Sequence, residues 1–169
     1  MDSKSHLSDK LEKWVSRIPG LRTYQEREHR RETDKRVREQ LSQRLRVVLE
    51  QVQSLEKQLA DSALMDPLPR LDRLCSALQQ LSDTILYAAY GYGGVFDLEK
   101  IREEQLGRLY EFDLYLMDDA QAMEEEAREL ASAAPGEEKF REKLAELENR
   151  CQILRQRFER RRDFMIRPE

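Results

Sequence analysis

Over most of this chain apolar residues recur at intervals of three and four. Leu41, Leu45, Val48, Val52, Leu55 and Leu59 alternate spacings of four and three, which aligns them along one seam of a helix packed lengthwise against others. Leu71, Leu74, Leu78, Leu81 and Ile85 form a second seam, and Phe140, Leu144, Leu147, Cys151, Leu154 and Phe158 a third. Ahead of them, Leu7, Leu11, Trp14, Val15 and Ile18 stand at helical spacing among Lys, Asp and Glu. That pattern marks a short amphipathic helix.

The breaks between these patterns divide the chain. Pro19 and Gly20 end the short helix, and a long one is predicted from about Tyr24 to Ser62. Asp66 is the expected cap of the next helix, with Pro67 at its first position, where a missing N–H costs nothing; it runs to Tyr90 and Gly91. Asp97 caps a further helix that reaches Ala133, Pro135 and Gly136 break it, and Glu137 and Glu138 open the last one at the end where negative charge is favoured. Short connections set consecutive helices antiparallel. The fold class read from the sequence is therefore all-α: an elongated antiparallel helical bundle of four main helices with a short N-terminal amphipathic helix. Residues 1–20 form that first helix and 21–169 a single bundle domain.

The helix lengths predict an overhang. At 1.5 Å per residue the long helix measures about 58 Å and its successor about 36 Å. The first half of the long helix, QEREHRRETDKRVRE, carries i,i+4 pairs such as Glu26/Arg30, Glu32/Arg36 and Asp34/Arg38, which support a solvated helix. This stretch is expected to project beyond the bundle with little burial, partly covered by the Trp14 helix.

Composition narrows the function classes. The 169 residues hold 34 acids and 30 bases, a net charge of -4, so no overall field draws the chain to nucleic acid. No apolar run approaches the roughly 20 residues that span a bilayer, and the first residues lack the apolar core of a signal peptide. A cytoplasmic setting is expected. Cys75 and Cys151 have no CxxC spacing and read as reduced core thiols.

Candidate chemistry is sparse. YAAYGYGGVFD, from Tyr87 to Asp97, holds three glycines but no following Lys-Ser/Thr, and it joins two helices, so it is not a phosphate loop. Its glycines suit a tight helix exit. Its rings Tyr90, Tyr92 and Phe96 supply contact area at low entropic cost and are the candidate partner-binding residues at one end of the bundle. A dinuclear metal site in a bundle needs Glu-x-x-His on two helices; only Glu26 to His29 matches, with Arg27, Arg30 and Arg31 around the histidine. No metal, cofactor, small-molecule substrate or catalytic residue is predicted.

Two features remain. RQRFERRRDFMIRPE is basic, and Trp14, Arg160, Arg161 and Arg162 are the candidates for contact with a membrane or another anionic surface. The competing reading pairs this segment with the acidic run Asp118, Asp119, Glu124, Glu125, Glu126 and Glu129 of the same chain. Asp113 is ringed at helical spacing by Leu106, Leu109, Tyr110, Leu116, Met117 and Ala120, so it reads as a buried acid that needs a cation. Setting Ala133 opposite Glu137 brings Asp113 level with Arg157, with Arg160 and Arg161 within a turn. The function expected from all this is non-catalytic: an adaptor, assembly factor or scaffold acting through a protein partner or self-association. The alternative is a peripheral membrane protein docking through the first helix or the basic segment.

Overall fold

The computed structural model describes residues 30–88 and 103–166. The Trp14 helix, His29, the rings Tyr90, Tyr92 and Phe96, the Asp97 cap and Arg167 lie outside the described residues. Four helices make the fold: α1 (Arg30–Asp61), α2 (Leu68–Leu86), α3 (Glu103–Ser132) and α4 (Glu138–Ile166). It is an all-α antiparallel four-helix bundle. The three seams read from the sequence are its core, with Leu41, Leu45, Leu71, Leu78, Leu147 and Leu154 wholly enclosed; α3 adds Leu109, Leu116, Ala120, Met123 and Leu130. Around the bundle α1 packs closely on α2 and on α3, and α3 packs closely on α4. The fourth seam, between α2 and α4, is the loose one.

Two helix boundaries differ from expectation. Pro67, not Asp66, occupies the N-cap of α2, in helical geometry (φ -80°, ψ -13°) and without a side-chain cap bond. The Leu68 N–H is taken instead by the Met65 carbonyl at 3.2 Å, a tight turn that leaves Asp66 exposed. At its other end α2 stops at Leu86 rather than Tyr90. The carbonyl of Leu86, one of the acceptors a helix end leaves without an intrahelical partner, receives Arg38 Nη1 at 2.8 Å.

The expected overhang does not exist in the described part of α1. Thr33, Asp34 and Val37 are buried at 2%, 2% and 0% exposure. The expectation weighed α1 against α2 alone. With 30 and 29 residues, α3 and α4 nearly match the 32 of α1, and they cover its charged half where the 19-residue α2 has ended. Glu32/Arg36 is an exposed pair, as the spacing suggested, whereas the Asp34/Arg38 pair is enclosed.

The exit of α1 holds one strained residue. Leu64 N–H reaches the Leu59 carbonyl at 2.9 Å and Ala63 N–H reaches the Ala60 carbonyl at 3.0 Å, the paired bonds of a Schellman termination. Its left-handed position, usually glycine, is filled by Ala63 at φ 57°. A Cβ there costs about 1–2 kcal/mol, partly offset by the extra unfolded-state freedom of glycine. Ala63→Gly is therefore expected to raise the unfolding free energy by about 0.5–1 kcal/mol, read as a shift of the urea midpoint at constant slope.

Candidate functional site

The described residues concentrate their buried charge at the end of the bundle where α1 begins and α4 finishes. Arg161 of α4 is fully enclosed. Its Nε donates to Oδ1 of Asp113 on α3 at 2.5 Å, and its Nη2 donates to Oδ1 of Asp34 on α1 at 2.9 Å. The other oxygen of Asp34 accepts from Arg38 Nε at 2.9 Å, and Arg38 carries the chain of bonds on to the Leu86 carbonyl of α2. Among the described residues one continuous network thus touches all four helices, with the carboxylates of Asp34 and Asp113 answering the guanidiniums of Arg38 and Arg161. Charge-assisted bonds of this kind are stronger than neutral ones and offset the desolvation of ions taken out of water.

Asp113 stands where its apolar ring implied, at 2% exposure, with Leu116 and Met117 buried beside it. Its partner is Arg161, one turn beyond the level of Arg157. Side chains on a helix lean toward its N-terminus, so on antiparallel neighbours two partners have Cα atoms displaced toward their own C-termini. Aligning Cα atoms alone put the contact one turn too early. Arg157 instead donates to Asp119 Oδ2 at 2.6 Å, its guanidinium 5.3 Å from the ring centroid of Tyr115. Arg161, expected among the exposed cations, is withdrawn from that set by its burial. Arg160 and Arg162 are exposed.

The signal for the network was present in the seams. Continued by the same spacings, the α4 seam runs from Phe158 to Arg161 and Met165; the α1 seam runs back from Leu41 through Arg38 to Asp34; on α3, Asp113 stands between Leu109 and Leu116. The charged residues occupy core positions; Asp113 reads as buried from its apolar ring, whereas reading the charge of Asp34 and Arg38 as solvation hides those two.

Much of the remaining basic surface of α4 is engaged within the chain. Arg150 joins Asp119 at 3.6 Å and Glu126 at 2.7 Å, and Lys143 joins Glu129 at 2.8 Å. Arg44 of α1 joins Glu124 at 2.9 Å. Burial pushes the carboxyls of Asp119 and Glu126 above their ordinary range, against the pull of Arg157 and Arg150 on the first and Arg150 on the second. Glu126 Oε2 is buried without a hydrogen-bond partner.

The loose α2–α4 seam opens into a cleft of about 480 Å³. Leu74, Ala77 and Cys151 form its apolar base, and Arg70, Arg73, Arg155, Glu148 and Gln152 its rims. Two polar bars cross it. Arg70 grips Glu148 in a two-pronged bond of 2.6 and 3.2 Å, and Arg155 Nη2 donates to Gln80 Oε1 at 3.1 Å. Both cysteines are free and buried. Burial, then Glu56, pushes the Cys75 thiol up to about 12, and burial raises Cys151 against the pull of Arg155. Both stay protonated at neutral pH and are poor nucleophiles. Among the described residues no group of three or more His, Cys, Asp or Glu side chains is arranged to hold a metal ion, and no helix is long and apolar enough to cross a membrane. Comparison with family models, curated proteins and solved structures gave no match.

Two predictions concern these charges. Arg161→Met takes the shared guanidinium from the buried carboxylates of Asp34 and Asp113 and is expected to cost about 3–5 kcal/mol in urea denaturation. Asp113→Ala, which takes away one of the carboxylates that answer Arg161 while Asp34 stays bonded to it, should destabilise in the same direction but by less, and combining Asp34→Asn and Asp113→Asn with Arg161→Met should recover much of the loss. A loss below about 0.5 kcal/mol for Arg161→Met would place this residue in solvent. The second prediction concerns Glu126, whose raised pKa makes the folded state bind protons more readily than the unfolded chain. Its contribution to stability therefore rises as pH falls through the folded pKa toward the ordinary carboxyl range. Glu126→Gln removes that contribution, so the wild-type-minus-variant difference in unfolding free energy should grow as the pH falls from neutrality toward the ordinary carboxyl range. A pH-independent difference would show that burial does not hold this proton.

Proposed function

We propose that this protein is a non-catalytic helical bundle of the cytoplasm that works through protein contacts, as an adaptor, assembly factor or scaffold, with the α2–α4 seam as its contact face. The observation that carries the reading is the asymmetry of the bundle: three seams are closely packed and one is left as a cleft between two helices. A groove between helices is a recurrent place for a partner helix to lie. The pairing of Arg157 and Arg161 with acids of the same chain gives these two members of the basic segment an intramolecular role and so favours this reading over docking of that segment on a membrane.

A photo-crosslinking side chain at Gln152, exposed on the seam rim, tests it in cells. The expected result is a crosslinked protein, or a second copy of the chain, that is absent when the same group stands at Gln43, exposed on α1, and that disappears in Ala77→Trp, which fills the cleft. Equal capture at both positions, capture that survives Ala77→Trp with the thermal midpoint unchanged, or no capture at Gln152 would each overturn the seam as contact face.

A further inference from the structure

The seam carries a local charge excess opposite in sign to that of the chain. Its rims bring Arg70, Arg73 and Arg155 against the single carboxylate of Glu148, two positive charges in excess, whereas the whole chain has a net charge of -4. The three guanidiniums are not equivalent. Arg70 is held by Glu148. Arg155 spends its bond on the neutral amide oxygen of Gln80. Arg73 is exposed and has no ion-pair partner among the described residues. Two guanidiniums on different helices thus flank an apolar base with no carboxylate to answer them.

Resting on the seam as contact face, we infer that its occupant is an amphipathic helix of a protein partner that presents glutamate or aspartate beside an apolar side chain. The carboxylates meet Arg73 and Arg155, and the apolar group lies over Leu74, Ala77 and Cys151. The two bars set the dimensions. Arg70 and Gln80 are ten residues apart on α2, about 15 Å of helix, and a helix with its side chains is about 10–12 Å across. One helix therefore crosses the seam between the bars without displacing either. A bare anion is poorly served here, because the base between the guanidiniums offers it no hydrogen bond, whereas a carboxylate carried on an amphipathic helix brings its own apolar neighbour.

The test uses the full chain and a fluorescent synthetic amphipathic peptide with a glutamate-bearing face, against the same peptide carrying glutamine. The expected result is binding of the glutamate peptide alone, weakened roughly tenfold or more by Arg73→Glu with Arg155→Glu. Arg73→Gln by itself, a change at an exposed position, should weaken it in the same direction. Arg160→Glu with Arg162→Glu, which reverses exposed charge outside the seam, should lose much less. Equal binding of the glutamine peptide, no binding of either, equal loss from the Arg160/Arg162 pair, or competition by inorganic phosphate beyond that of chloride at equal ionic strength would overturn it. If the group at Gln152 still crosslinks a partner while the glutamate peptide fails to bind, the seam remains the contact face and only the acidic helix falls. If Gln152 captures nothing, the seam itself falls.

Discussion

A guanidinium that has lost all contact with water must find its counter-charges inside the protein, and Arg161 finds them on two other helices at once. Asp34 of α1 and Asp113 of α3 each accept from a different nitrogen of the same planar group. Neither acid can be met in this way unless α1, α3 and α4 stand at one set of heights. The apolar seams alone do not fix those heights. A slide of α4 by seven residues would bring Leu154 to the place of Arg161 and keep leucine facing leucine along much of the interface, but it would set two buried carboxylates against a hydrocarbon side chain. That state is disfavoured by the cost of taking a counter-charge away from buried ions, several kcal/mol when one member of a buried pair is removed.

The same magnitudes argue against treating the network as the source of stability. Replacing a buried ion pair by apolar residues of similar volume is often neutral or favourable, while removing one member is not. The core of leucines, valines and isoleucines supplies the drive to fold; the charges select among the ways of folding. Arg38 extends that selection to α2. By taking the Leu86 carbonyl it ties the place where α2 ends to the level of Asp34, two turns above the Ser42–Ser82 hydroxyl contact at 2.9 Å that links the same two helices.

How much of this was legible in the sequence depended on what surrounded each charge. Asp113 could be read because its helical neighbours are apolar, so a carboxylate in their midst needed an explanation. Asp34 lies in a run of charges where an i,i+4 pairing with Arg38 accounts for it locally, and local pairing looks the same whether or not other helices cover it. Its burial depends on the lengths of α3 and α4, a tertiary fact. Arg161 stands among Arg160 and Arg162, and composition does not separate the three; only the phase of the seam from Phe140 to Phe158, carried one step further, shows which of them points inward. The α2–α4 cleft left no comparable trace. Leu74 and Cys151 fall on ordinary seam positions, and whether two seams meet closely or part is set by how four helices share one core.

The network and the open seam are physically connected. In a bundle whose four interfaces all closed alike, prising α2 from α4 would expose core on both. Here α4 is held at its carboxyl end by Asp34 and Asp113 and along its length by Asp119, Glu126 and Glu129 of α3, so its position does not rely on α2. α2 in turn rests on α1. The two helices therefore face each other as supported walls, joined across the gap by the Arg70–Glu148 and Arg155–Gln80 bonds. A cleft between two independently supported walls can accept a guest without unfolding its host, and in this chain the support comes from the charges that the core encloses.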